Sequence, residues 1–366
     1  LWHWPMLAFI RYCVAQPAVP SMVAMAALLP VSYLSWRWIE QPFRFRRGDA
    51  DPVRPMRSIS IAAWRPVLVG ALAWAVVYAA GGFIAWKGGI GSRLSPAERR
   101  FMESCHFHGK TARFVFVPYH ERESFLERPI PATPDRDLFP RLGAESVEGR
   151  PDFLLWGDSH GQAIGTVIDT EARMHGVYGH AALMPGTPPL PGVWSGVKQT
   201  ERLISEKWSR VVVDWIRTHR PRHVLVCGHW KAHAGVRIDD TGSPSDIRGG
   251  GLSYGLQRLF SECKAVDARM TVMLQVPTQK ELPVQRLLLA RFLRRAIDLV
   301  GIDRAALDSQ QSAIVAAIGG FASDDLSVIN LADAFFGPSG RSSVGDDGRS
   351  WYFDTHHISD YGAERV

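Results

Sequence analysis

Residues 153–165 read FLLWGDSHGQAIG, and this stretch decides the fold. An apolar run, Phe153–Trp156, meets Gly157, then Asp158, Ser159, His160 and Gly161, and a helix-like segment follows. The order is strand, tight turn, helix. Glycines flank the turn because a chain reversing this sharply needs small residues. Such a turn lifts a hydroxyl to the carboxyl end of a strand, beside the N–H groups that open a helix. Those N–H groups stabilise developing negative charge, so the arrangement suits a nucleophilic serine.

A free hydroxyl is a weak nucleophile and needs a base. The far end of the chain offers one in residues 351–360, WYFDTHHISD. Asp354 and His357 are three residues apart, the spacing of one helical turn, which predicts side chains on one face. His357 then takes the Ser159 proton, while Asp354 orients the imidazole and stabilises its cation. His357 is preferred to His356, and Asp354 to Asp360, on that offset. Asp158 is expected to tighten the turn rather than to react, and His160 to border the pocket.

GDSH followed far downstream by D-x-x-H-I-S resembles the SGNH/GDSL hydrolase superfamily. The spelling GDSH, with apolar segments upstream, resembles the SGNH domains fused to acyltransferase-3 membrane proteins, bacterial O-acyltransferases that modify surface polysaccharides. The opening LWHWP and the later SWRWIEQPFR (35–44) resemble the last part of an acyltransferase-3 membrane domain, in order and spacing.

Working outward, no charged residue occurs from Tyr12 to Trp36, nor from Pro66 to Trp86. Each run is long enough for a bilayer, which takes about 20 apolar residues. Trp64 and Trp86 flank the second run as an aromatic belt. Formal net charge is +6, and Arg37, Arg44, Arg46, Arg47, Arg54 and Arg57 supply much of the excess. That cluster reads as a cytoplasmic loop obeying the positive-inside bias. No stacking-aromatic or recognition-helix pattern accompanies it, so nucleic acid is not an expected partner. The last span then carries the chain outward, leaving everything after Lys87 periplasmic. The expected division is residues 1–47, the end of the membrane acyltransferase domain; 48–65, the Arg-rich loop; 66–86, a transmembrane helix; 87–150, an irregular periplasmic extension; and 151–366, the SGNH domain. The chain is read as a fragment of a longer protein anchored in the bacterial inner membrane.

From Asp152 strands alternate with helices. Strands are expected at 153–156, 180–184, 223–227, 271–276 and 327–331, and helices at 161–175, 200–220, 252–267 and 284–300. This alternation predicts a parallel sheet covered on both faces, with the site at the strands' carboxyl ends. The resemblance implies a three-layer, flavodoxin-like α/β SGNH-hydrolase fold preceded by transmembrane helices. It also implies an acyl donor, acetyl-CoA or another acyl-CoA, delivered through the membrane portion, and a carbohydrate acceptor such as lipopolysaccharide O-antigen, exopolysaccharide or peptidoglycan. An esterase acting on acylated glycans, or a glycan-binding module without catalysis, are the alternatives.

Superfamily members complete the oxyanion hole with a glycine after the second strand and an asparagine after the third. Beside the Ser159 N–H, Gly186 and Gly192 are both candidates for the glycine. Residues 228–231 read GHWK, so Trp230 stands where the asparagine would be. Its indole N–H is a candidate donor to an oxyanion or sugar hydroxyl, and packing in the loop is the plainer alternative. The four cysteines (13, 105, 227 and 263) show no metal-like spacing, and Cys105 with Cys263 is one conceivable pairing in an oxidising compartment. A Ser–His–Asp mechanism requires no metal, and no bound cofactor is expected in this segment.

Overall fold

The structure is a computed structural model that describes residues 94–105, 123–127, 138–145, 148–238, 250–321 and 326–366, with scattered positions between 26 and 83. The chain divides into two compact units, Leu1–Arg99 with Gln285–Arg295, and Arg100–Val284 with Ala296–Val366. In the first unit the scattered positions are helical, and Arg291 Nε pairs with a Glu98 carboxylate oxygen at 3.1 Å. The expected membrane spans and Arg-rich loop fall largely outside the described residues. Among those described, no helix is long and apolar enough to cross a membrane.

The second unit is built on a six-stranded sheet: β1 (Arg141–Gly143), β2 (Phe153–Gly157), β3 (Tyr178–Leu183), β4 (His223–Cys227), β5 (Arg269–Leu274) and β6 (Leu326–Asn330). Their spatial order is β1-β3-β2-β4-β5-β6. The five strands β2 to β6 run parallel, in the doubly wound order of flavodoxin-like folds. β1 joins the edge antiparallel, with Leu142 opposite Gly179. The sheet is therefore mixed where a purely parallel one was expected. That edge strand comes from the segment read as irregular, since three residues are too few to display a period.

Alternation along β2 sorts the core into two layers. Leu154 and Trp156 point to one face, packing with Trp208, Val212, Trp215 and Ile216 of helix α2 (Gln199–His219). The same cluster holds Leu252, Leu256 and Leu259 of α3 (Gly250–Ala265), and Ile314 and Ala317 of α4 (Arg304–Ile318). Phe153 and Leu155 point to the other face, packing with Ala163 and Ile164 of α1 (Ser159–Met174) and with Trp351, Tyr352 and Ile358. Each large apolar side chain so buried is worth about 1.5–3 kcal/mol relative to exposure, so both layers hold the sheet rigid under the site.

The single helix expected over 284–300 is two elements. A helix spans Pro283–Phe292, Arg294 then takes a left-handed φ of 52°, and Val300–Asp303 forms a strand pairing with Arg341–Ser343. Asp303 then caps α4, its carboxylate accepting the Ala306 N–H at 2.8 Å. Cys105, Cys227 and Cys263 are free and buried, so the conceivable Cys105–Cys263 pairing is not formed.

Candidate active site

Ser159 opens α1 at the carboxyl end of β2, beside β4, where the strand order reverses, as ligand sites in open α/β sheets do. Gly157 is required there by close approach. A Cβ on it would lie 2.8 Å from the Cys227 carbonyl oxygen and 2.8 Å from the Gly161 Cα, and one on Gly161 would meet Leu183 at 2.9 Å. Gly157→Ala is therefore expected to destabilise the protein by about 1–3 kcal/mol, the usual cost of overpacking, readable as a lower denaturant midpoint.

Asp158 is the N-cap of α1 and is 1% exposed. One carboxylate oxygen accepts the His160 N–H at 2.7 Å; the other accepts the His229 N–H at 2.8 Å and meets His233 Nε2 at 2.9 Å. Burial alone would raise its pKa. The hydrogen bond from His233, the nearby imidazoles and the His229 N–H outweigh burial and hold it well below the usual carboxylate range. Asp158 thus ties the Ser159 turn to the loop after β4. His229 and His233 are the residues that the sequence reading passed over, and their i, i+4 spacing around a short helix (Trp230–His233) was the available signal.

The chain's distal segment brings the remaining groups. His357 Nε2 lies 2.7 Å from Ser159 Oγ, and His357 Nδ1 lies 2.7 Å from Asp354 Oδ2. With Nδ1–H donated to the carboxylate, Nε2 is left to accept the serine proton. Asp354 and His357 meet across a bend, not across the turn of helix that their spacing predicts. Asp354 Oδ1 accepts the N–H groups of His356 and His357 at 2.8 and 2.7 Å, which folds the loop back on its own carboxylate. The loop is pinned at its base by the Phe353 N–H to the His357 carbonyl, at 2.9 Å, and by the Gln279 N–H to the Thr355 carbonyl, at 2.6 Å. Burial raises the Asp354 pKa less than the His357 contact and the two N–H groups lower it, so the group is held well below the ordinary carboxylate range.

Four imidazoles wall the site. His160, 4% exposed, stacks on His229 with ring centroids 4.5 Å apart, and His229 stacks on His356 at 4.7 Å. His357 lies 4.1 Å from His356 and 5.1 Å from His160. Burial, reinforced by the neighbouring rings, pushes the His160 and His356 pKa values down and that of His229 to about 4. These three rings are therefore neutral at pH 7. One ring nitrogen from each of His160, His356 and His357 lies within 4.8 Å of the others, so this trio is the group able to hold a metal ion among the described residues.

The expected oxyanion-hole positions differ in what surrounds them. Trp230 is fully buried, and its indole N–H donates to the Met273 carbonyl at 2.7 Å. A buried indole without that partner would be costly, so packing claims the group and it is not free for an oxyanion. Trp230→Phe, which removes the indole donor from the Met273 carbonyl, is expected to cost about 1–3 kcal/mol of stability while acylation by folded chains stays near wild type. Large rate loss at unchanged stability would instead return the indole to the site. Gly192, at φ 74°, faces Arg258 and Tyr254 of α3. Gly186, at φ 64°, sits in the turn that leaves β3, where the Met184 N–H donates to the Gly157 carbonyl at 3.0 Å. β3 lies beside β2, with Leu183 opposite Gly157, so this turn leaves the sheet at the same end as Ser159.

Comparison with known proteins adds the following. No curated protein sequence matches the chain. The periplasmic domain of a lipopolysaccharide acetyltransferase from Salmonella ser. Paratyphi A is similar in structure, with a TM-score of 0.45 and 16% identity over 69% of this chain and 95% of that one. The family model described as SGNH domain (fused to AT3 domains) matches residues 127–366, which contain the whole sheet and every residue of the site. The chain belongs to the family of SGNH domains fused to AT3 domains.

Proposed function

We propose that this protein is an O-acyltransferase that carries an acyl group, acetyl in the first instance, on Ser159 and passes it to a hydroxyl of a surface polysaccharide on the periplasmic side of the inner membrane. The observation that carries this reading is the Ser159–His357–Asp354 chain of 2.7 Å contacts at the switch point of the sheet. Its family adds the fusion to a membrane acyltransferase domain, which is the source of the acyl group in this account.

In the proposed reaction His357 Nε2 takes the Ser159 proton as Oγ attacks the donor's carbonyl carbon. Asp354 steadies the imidazolium, and the oxyanion forms beside the N–H groups of Ser159 and Gly186. The donor's leaving group departs with the proton held by His357. The acyl-serine is then attacked by a sugar hydroxyl, deprotonated by the same nitrogen. The neutral rings of His160, His229 and His356 suit an uncharged carbohydrate and add no charge near the imidazolium.

Partition of product tests this. The full chain in detergent, given an acetyl ester and an oligosaccharide, is expected to form acetylated sugar in excess of free acetate. Free acetate released at a rate indifferent to sugar would make the protein an esterase. Neither product from folded protein would leave a glycan-binding module.

A further inference from the structure

We propose that His160, His356 and His357 also form a site for a divalent transition-metal ion of the zinc class, and that the ion, once seated, silences Ser159. Binding stands on the geometry alone, whereas the silencing rests on the acyltransferase reading.

Three ring nitrogens already lie within 4.8 Å of one another. Tetrahedral zinc with bonds of about 2.0–2.1 Å holds its ligands about 3.4 Å apart, so the rings must draw in by roughly an ångström and His356, stacked on His160 at 24°, must turn its edge to the ion. His356 has the most room, with its side chain 29% exposed, while His357 must exchange its Ser159 contact for the ion. His160 supplies the fixed point. It is 4% exposed, and its Nε2 has no hydrogen-bond partner. Buried polar atoms are normally paired, so this unpartnered nitrogen beside the other imidazoles calls for a partner.

The outer contacts suit metal as well. Asp354 lies 2.7 Å from His357 Nδ1 and 3.4 Å from His356 Nδ1. A carboxylate on one ring nitrogen fixes the tautomer and directs the other toward an ion, the arrangement that orients most metal-bound histidines. Imidazole donors favour zinc, copper and nickel over magnesium or calcium.

The consequence follows from one atom. His357 Nε2, the nitrogen left open by Asp354, is the nitrogen that contacts Ser159 Oγ. A metal ion there withdraws the lone pair that takes the serine proton, so Ser159 loses its base without any change of fold.

The test uses the untagged full chain in detergent and Zn2+ alone as probe, in equilibrium dialysis. One ion per chain is expected, released by a chelator and retained in Ser159→Ala. His356→Ala, at a partly exposed position, is expected to weaken binding at least about tenfold, since even outer-shell losses cost metal sites about 10–100-fold. Zinc is also expected to slow acylation of Ser159 in the wild type, with the chelator restoring it. Absence of saturable binding, or binding unchanged in both His356→Ala and His160→Asn, overturns the site. Zinc bound at one per chain with acylation undiminished overturns the silencing. Failure of metal-free protein to acylate Ser159 at all would count against the acyltransferase reading, and dialysis would still decide the site.

Discussion

Ser159→Ala is expected to lower acyl transfer by about four to six orders of magnitude, the range seen when the nucleophile of a serine triad is removed. The side chain is half-buried, and its hydroxyl faces His357 Nε2 at 2.7 Å. Its loss leaves the strand, the Asp158 cap and the stacked imidazoles in place, so thermal stability should hardly move. Single-turnover kinetics with an activated acetyl ester, run beside a melting curve, separate the two quantities. A variant that melts like wild type and transfers within an order of magnitude of it would remove Ser159 from the chemistry.

Asp354→Asn is expected to cost about 10⁴-fold in transfer, as the equivalent change does in serine proteases. The amide oxygen can still accept the N–H groups of His356 and His357, so the loop keeps its fold. The amide NH2, however, donates toward His357 Nδ1. The ring then carries its proton on Nε2, pointing at Ser159 Oγ, and cannot accept from it. Asparagine therefore reads tautomer control apart from folding. A loss of tenfold or less would mean that Asp354 only shapes the loop.

The strand leading to Ser159 was legible because five consecutive residues bury both faces, an apolar run bounded by Gly157 and a cap. The Asp354/His357 pair was legible from spacing, although the chain brings the two together by a bend stabilised on Asp354's own carboxylate. What spacing could not show was the break after Phe292. Residues 293–298 read LRRAID, which keeps helical propensity, and no glycine announces the left-handed Arg294. Nor could the sequence show that Trp230 would spend its N–H on Met273, 43 residues away in the neighbouring strand. The Asp158–His233 contact joins residues 75 apart for the same reason. Partners of this kind are chosen by the packing of β2, β4 and β5, which local pattern does not contain.

The central claim is that acyl groups pass through Ser159. Rapid quenching of the full chain with an acetyl donor, followed by mass spectrometry of the Ser159 peptide with and without oligosaccharide, tests it most directly. The account predicts an acetyl group on Ser159 that decays faster when sugar is present, with matching gain of acetyl on the sugar. Sugar acetylated at full rate while Ser159 stays unmodified at every time point would contradict it.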